Sequence, residues 1–511
     1  MATRLLALAR RYRADLRAAA LAIAAALVYA AAFAKTWLWP LHFLVPAMLL
    51  AAVIGQGWRR RVALGGLFGA LAFGIVCRWV LRFGVIALAG LALGHTLWWA
   101  GTAWIAGPFL RSDRPVRGAA AFAGLWVVSD LLRGRLPFGG FPWGELGLPL
   151  VTSPMRWVVP WLGALGLTAA AALVGSSVWL ATRRPVTGLV LVSGVVGVCL
   201  VAWLVRPGGP NGPSLRVAAV QGNVPLPVRL ASRQRDAQVL ANHERVTMRI
   251  TRHVVDLVVW PEAIVQTQAV HIGAGAPKPL GRLARDLSVW FVAGVSADGP
   301  DDRFFNLAVS VDRRGTVAGA TAKVHGVPFG EYVPWRSVLG DKFGLSAVAR
   351  DLEPGRRVRA IPIPRGHAAV AISYEVAFSD VLRAGVRDGG RVLLVPTNVS
   401  SYGPHSPIAR QELLEAQARA LEERMWLVQA GPSGISAIVD ASGRVHAQTR
   451  LFEATIVRGR VQLATAVTPY AHWGDTPIIV LALAAVLPVL APSRKRHVNS
   501  VSAVPIGRET A

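Results

Sequence analysis

Cysteine is nearly absent from this 511-residue chain: Cys77 and Cys199 are the two, and both sit in apolar runs. No disulfide framework and no cysteine zinc site can be built from them in the polar part of the sequence. Within apolar spans they read as inert packing residues. Lysine is almost as scarce. Five of the 55 basic residues are lysine (Lys35, Lys278, Lys323, Lys342 and Lys495) and the rest are arginine. A lysine kept in so arginine-rich a chain suits a role that needs a compact point charge rather than a planar guanidinium. Charge is low altogether, at 16% of residues against 53% hydrophobic, which is too apolar for an ordinary soluble protein of this length. Acidic residues number only 28, which leaves a net charge of +27. The basic residues form no stripe on one face, and many flank apolar runs. Nucleic-acid binding is therefore set aside in favour of membrane topology. Internal repeats, heptads and low-complexity tracts are also missing.

What is present is a set of apolar runs long enough to span a bilayer, near residues 17–34, 38–57, 62–78, 83–107, 118–133, 157–181, 186–205 and 475–492. Basic clusters at 10–17, 58–61, 111–118, 182–185 and 493–497 all fall on one side if these eight spans alternate. The excess of arginine and lysine on that side marks it as cytoplasmic. Both termini are then expected inside, and residues 206–474 outside. Residues 1–30 show no small-residue cleavage site and are not expected to be a cleaved signal peptide. The expected organisation is a transmembrane bundle of about seven spans over 1–205, a Pro/Gly-rich linker over 206–214 and an outside domain over 215–470. A last span over 475–492 and a basic cytoplasmic tail over 493–511 follow.

The outside domain has short runs rich in Val and Ile at 215–221, 256–262, 289–296, 306–312, 368–373, 391–396 and 433–440. Helix-like polar segments at 229–253, 277–287 and 405–424 lie between several of them. This is the pattern of a layered α/β domain with strands buried on both faces. Ionisable residues and a hydroxyl gather where the runs end: Glu262 in VVWPE, Lys323 and Glu331 in GATAKVHGVPFGEYVP, and Ser373 and Glu375 in AISYE. Functional groups collect at the carboxyl ends of buried strands in such folds. Each of these residues alone also fits a strand terminus or a turn; the ordered set carries the argument.

That set, WPE then AK…VPFGEYVP then ISYE, resembles the nitrilase superfamily, whose Glu-Lys-Cys triad sits on an α-β-β-α sandwich. With spans before and after it, the chain is similar to the apolipoprotein N-acyltransferase family. Further matching stretches are WVVSDLLRG…FPWGELG (126–147), VQGNV (220–224), 419–443 and VTPYAHWGD (467–475). The resemblance implies a polytopic helical membrane protein of the bacterial inner membrane with an extracytoplasmic nitrilase-like domain. Its implied partners are a phospholipid acyl donor and a diacylated apolipoprotein acceptor, with a monomeric enzyme and no metal or cofactor. It assigns Glu262 as general base, Lys323 as oxyanion-stabilising lysine, Glu331 and Glu375 as supporting glutamates, and Tyr374 and Trp260 as neighbours by position.

At the nucleophile position the family has cysteine and this chain has Ser373. PSG at 432–434 and SYG at 401–403 also depart from the family's loops, which are expected near the site. The implied reaction moves an acyl chain from phospholipid onto the enzyme, then onto the α-amine of a diacylglyceryl-cysteine. Dividing the transfer in two lowers each barrier. An alcohol is a poorer thiolate substitute by at least about five pKa units, roughly 7 kcal/mol if nothing compensates, so low activity is expected. Three readings of the serine stand: a replacement that freezes the enzyme, a lipid- or lipoprotein-binding pseudoenzyme, and a natural serine variant. A membrane-tethered amidase would share the triad but has no need of so many spans. A transporter would have little but Asp130, near the end of span five, to rest on.

Overall fold

The computed structural model describes residues 2–109, 115–224, 232–339 and 348–490. Lys342, the basic run 493–497, the tail 493–511 and part of the run 111–118 lie outside the described residues.

Seven helices come first: α1 (Ala2–Ala34), α2 (Leu44–Val53), α3 (Trp58–Val76), α4 (Val85–Ile105), α5 (Pro115–Arg133), α6 (Val159–Ala181) and α7 (Pro185–Leu204). Six segments are long and apolar enough to cross a membrane: α1, the continuous stretch 36–53 ending in α2, α4, α5, α6 and α7. Helix α3 falls short because Arg59, Arg60 and Arg61 occupy its first turn and leave less than the ~20 apolar residues a span needs. It packs closely on α4 through glycine: a Cβ at Gly69 would stand 2.3 Å from the His95 carbonyl oxygen. Helices α4 and α7 leave large apolar side chains exposed, among them Leu93, Leu97, Leu189 and Leu200, as a surface facing lipid requires.

The chain then builds, in order, β1 (Ser214–Gln221), α8 (Ser232–Thr247), β2 (Leu257–Val259), β3 (Val265–Thr267), α9 (Lys278–Leu287), β4 (Trp290–Asp298), β5 (Phe304–Val311) and β6 (Val317–Ala322). Next come α10 (Arg336–Leu339), β7 (Ile361–Ile363), β8 (Gly366–Val370), α11 (Ser379–Arg387), β9 (Leu393–Pro396), α12 (Ile408–Glu423) and β10 (Leu427–Ala430). The chain closes with β11 (Ala437–Val439), β12 (Val445–Gln448), β13 (Thr455–Gln462), α13 (Pro469–Trp473) and α14 (Thr476–Leu490). Among the described residues α14 has 15 residues, fewer than a full span needs.

The strands form two sheets, ordered β13-β1-β2-β4-β5-β6 with β3 on β4, and β12-β11-β10-β9-β8-β7. The central pairs β1–β2, β2–β4, β8–β9 and β9–β10 are parallel. The sheets stack face to face through Leu215, Val217, Val259 and Val292 of one and Val370, Leu394, Val428 and Ile438 of the other. Helices α8 and α9 cover the outer face of the first sheet, with Val246, Leu280 and Leu283 against Val258 and Phe291. Helices α11 and α12 cover the second, and their apolar residues belong to one continuous core with the membrane helices. The layers therefore run α-β-β-α and then bundle, which puts α12 between the sheet and the bundle.

Candidate active site

Three strand ends converge. After β2 the chain turns through Pro261 to Glu262, and the turn lies so close to β4 that a Cβ on Gly294 would be 2.4 Å from the Glu262 Cα. Lys323 follows directly on β6, and Ser373 follows β8. Lys323 Nζ lies 3.0 Å from Glu262 Oε1 and 2.7 Å from Glu331 Oε1. Asn306 of β5 adds a hydrogen bond from Nδ2 to the same Glu262 oxygen at 2.8 Å. Glu331 is itself held by the Val327 backbone N–H at 2.8 Å. Lys323 is only 1% exposed. Burial alone would push its ammonium pKa down, but the two carboxylates beside it more than reverse this, and the pKa is raised. The lysine is thus a fixed positive charge at neutral pH.

Ser373 opens a 3-10 turn with φ of 55°, a left-handed backbone that a non-glycine residue adopts at a cost of roughly 1–2 kcal/mol. Glu375 holds this turn. Its Oε2 accepts from the Ile372 N–H at 2.9 Å, and its Oε1 accepts from the N–H groups of Val324 and His325 at 2.6 and 3.0 Å. One carboxylate therefore ties the turn carrying the hydroxyl to the segment carrying Lys323. Burial raises the Glu375 pKa, against the pull of those three N–H groups and Lys323. Ser373 Oγ is 8% exposed by residue and is reached by Thr397 Oγ1 at 3.3 Å and the Asn398 N–H at 3.5 Å.

The structure thus brings Glu262, Lys323 and Glu331 into one ion cluster and fastens Ser373 and Glu375 to it. Tyr374 turns toward the bundle, where its hydroxyl donates to the Gly140 carbonyl at 3.2 Å. Trp260 packs elsewhere. Its indole is fully buried in the core behind the first sheet, packs edge-on to Phe291 and donates to Thr247 Oγ1 at 2.9 Å. The adjacency of Trp260 and Glu262 in sequence says nothing about which way each side chain points. Asp130, the residue on which a transporter reading would rest, is committed to structure: it pairs with Arg133 at 3.1 Å and accepts from the Leu146 N–H at 3.1 Å.

Sequence reasoning missed Asn306, Thr397 and Glu412. Thr397 and Asn398 follow β9 at its carboxyl end, so the strand-end signal that marks Glu262 and Ser373 was available for them. Asn306 and Glu412 carry no such signal. The departing loop 401–403 does lie here: Tyr402 packs on Trp79 and Phe83 of the bundle, with ring centroids 5.2 and 5.1 Å away. Gln411 of α12 clamps domain to bundle, accepting from the indoles of Trp79 and Trp143 at 3.0 and 2.8 Å and donating to the Val76 carbonyl at 3.0 Å. Among the described residues no group of three or more His, Cys, Asp or Glu is arranged to hold a metal ion.

The geometry amounts to a buried carboxylate–ammonium cluster with a hydroxyl on a strained turn tied to the same loop, set against membrane helices. Comparisons with known proteins agree with it. The family model described as carbon-nitrogen hydrolase matches residues 216–468, and that described as apolipoprotein N-acyltransferase N-terminal domain matches residues 25–177. An apolipoprotein N-acyltransferase of Azotobacter vinelandii is 31% identical over 496 residues, covering 91% of this chain and 93% of that protein. The enzyme of the same description from Pseudomonas syringae pv. tomato is 29% identical over 493 residues, covering 91% and 94%. Among solved structures, a mutant of the amidase from Nesterenkonia sp. AN1 is 17% identical, covers 52% of this chain and 98% of that one, and superposes with a TM-score of 0.37. With relatives this similar along nearly their whole length, the chain belongs to the apolipoprotein N-acyltransferase family, membrane-bound acyltransferases of lipoprotein biosynthesis with a nitrilase-like domain.

Proposed function

We propose that this chain moves an acyl chain from a membrane phospholipid to the N-terminal α-amine of diacylglyceryl-cysteine lipoproteins, through an ester on Ser373, and that it does so slowly. The observation that carries the proposal is the Lys323 ammonium fixed between Glu262 and Glu331, with Ser373 tied to the same loop through Glu375. In this reading Glu262 is the general base, and Lys323 stabilises the oxyanion with a charge already in place. Glu331 holds Lys323, and Glu375 holds the turn that presents the hydroxyl.

The domain stands outside the cytoplasm in this reading, with α3 and α14, short of a full apolar span as described, crossing the bilayer beside the six longer segments. Two observations support this arrangement. The bundle segments that touch the domain near the site, 76–83 and 138–147, follow odd-numbered helices and so share one side if the helices alternate. The basic runs 58–61 and 182–185 fall on the other side. The serine favours a second reading, a lipid-binding pseudoenzyme, because an alcohol is harder to ionise than a thiol by about five pKa units or more.

Intact mass separates the readings. The purified protein and Ser373→Cys are incubated with phospholipid, then with a diacylated lipopeptide. The proposal expects both forms to gain one acyl chain and pass it on, the cysteine form at least about 10³ times faster. A cysteine form that transfers beside a wholly inert serine form makes the chain as it stands a binder. Two inert forms remove the acyl-transfer reading.

A further inference from the structure

Glu412 takes no part in the ion cluster, yet it is joined to the reacting oxygen. It lies on α12, is 1% exposed, and its Oε1 accepts a hydrogen bond from Thr397 Oγ1. The same threonine oxygen is 3.3 Å from Ser373 Oγ. Glu412 Oε2 is buried with no hydrogen-bond partner, and the ion pairs of Lys323 go to Glu262 and Glu331 instead. A hydroxyl has one proton and two lone pairs. As placed, the Thr397 hydroxyl points as a donor to both Ser373 Oγ and Glu412 Oε1, and its single proton serves the shorter contact, with Glu412; a turn of the Ser373 hydroxyl then lets it donate to the threonine oxygen. The three groups then line up as donor, donor and acceptor, directed away from the nucleophile.

We infer that Thr397 and Glu412 are a second proton path out of Ser373, with Glu412 a positioning carboxylate that acts through Thr397. The inference rests on the acyl-transfer reading above and explains how a hydroxyl can serve there. The charge of Glu262 is already taken up by Lys323 and Asn306, whereas Glu412 has spare accepting capacity. As Ser373 Oγ bonds to the ester carbonyl carbon, its proton passes to Thr397 Oγ1, and the threonine proton passes to Glu412. When the carbon–oxygen bond to the glycerol breaks, the leaving oxygen takes a proton back along the same path. Acyl-serine and lysophospholipid result with no net change in protons.

The groups that face Glu412 are Thr397, Glu262 and Lys323, and Tyr402 from the turn above. Burial pushes its carboxyl up to about 8, with the nearby Glu262 charge adding to this and the Thr397 hydrogen bond and Lys323 opposing it. The path therefore opens as pH rises toward 8.

A long-chain alkyl fluorophosphonate tests the path without a natural substrate, since the serine oxygen displaces fluoride at phosphorus and must shed its proton. The full-length protein in detergent is followed by intact mass, beside Ser373→Ala as the blank. The expected results are one adduct at Ser373, formed faster from pH 6 to 8, and a loss of at least tenfold with a flattened pH profile in Glu412→Gln. Thr397→Val should lose as much, and Thr397→Ser should restore most of the rate. In Ser373→Cys, acylation by phospholipid should lose far less on adding Glu412→Gln, because a thiol needs less help. Equal losses in the serine and cysteine forms, or none in either, overturn the inference. An unreactive Ser373 beside a Ser373→Cys form that phospholipid acylates also overturns it, while leaving the acyl-transfer reading in place. A Ser373 that takes the phosphonate in a protein no phospholipid acylates supports the path and removes that reading.

Discussion

Lys323 holds two carboxylates in a place that water hardly enters, and that makes it a structural as well as a chemical residue. Removing one partner of a buried ionic cluster leaves the remaining charges uncompensated, at a cost of about 3–5 kcal/mol. Lys323→Met keeps the length and volume of the stem and removes only the charge. It is expected to abolish acyl-enzyme formation and to lower the unfolding temperature by several degrees in detergent, read by differential scanning fluorimetry. An unchanged melting temperature would mean that the ion cluster does not hold these loops together. Glu262, Lys323, Ser373 and Glu375 drew notice in the sequence because each stands at or just past the end of an apolar run, and Glu331 because it shares a motif with Lys323. The direction of the Trp260 side chain was not legible, since a residue two places from a site can serve the core. Glu412 was hidden for a different reason. A glutamate in ARQELLEAQ reads as the solvated face of a helix, whereas in the fold its side chain is buried against Thr397 at the end of β9.

Helix α12 shows what that packing does to charge. Glu412, Glu415, Glu422 and Glu423 lie on it at 1–3% exposure, and burial pushes the carboxyls of Glu412 and Glu423 up to about 8 and that of Glu422 to about 7. Arg419 pairs with Glu422 at 3.1 Å, and the Ala164 N–H binds the other Glu422 oxygen at 3.0 Å, but both Glu423 oxygens lack hydrogen-bond partners. A carboxyl whose folded pKa is raised favours the protonated folded state. Its contribution to stability is full below the unfolded value near 4.5 and is lost as pH rises through 7 to 8. The protein in detergent should accordingly unfold at progressively lower temperature from pH 6 to pH 9, and Glu423→Gln should flatten part of that slope. A melting temperature that rises over the same range would contradict the burial of these groups. At this scale the sheet strands with continuous apolar runs, β1, β4 and β9, were legible. Strand β13, TIVRGRVQ, was not: Arg458 and Arg460 alternate with apolar residues on an edge strand with one wet face.

For the molecule as a whole, the site lies where the sandwich meets the ends of the membrane helices, so the bundle is the fourth wall of the active site as well as its anchor. Tyr374, Tyr332 and Gln411 all bond to bundle segments, at Gly140, Phe138 and Val76. A soluble domain of the same sequence would expose the apolar face that α12 shares with the bundle. The bundle also fixes which side of the bilayer the chemistry faces, and the scarcity of cysteine makes that side measurable. Cys77 is buried and Cys199 lies within α7, so an added cysteine supplies the signal. Asp302, on an exposed hairpin of the sandwich, and Thr182, exposed between α6 and α7, are suited to it. If the denser basic runs on the α6–α7 side outweigh Arg78, Arg82, Arg133 and Arg135 beside the sandwich, as we propose, Thr182 is in the cytoplasm. Asp302→Cys should then react with a membrane-impermeant maleimide in intact spheroplasts, and Thr182→Cys only after permeabilisation. The opposite pattern would turn the protein over and put its site in the cytoplasm.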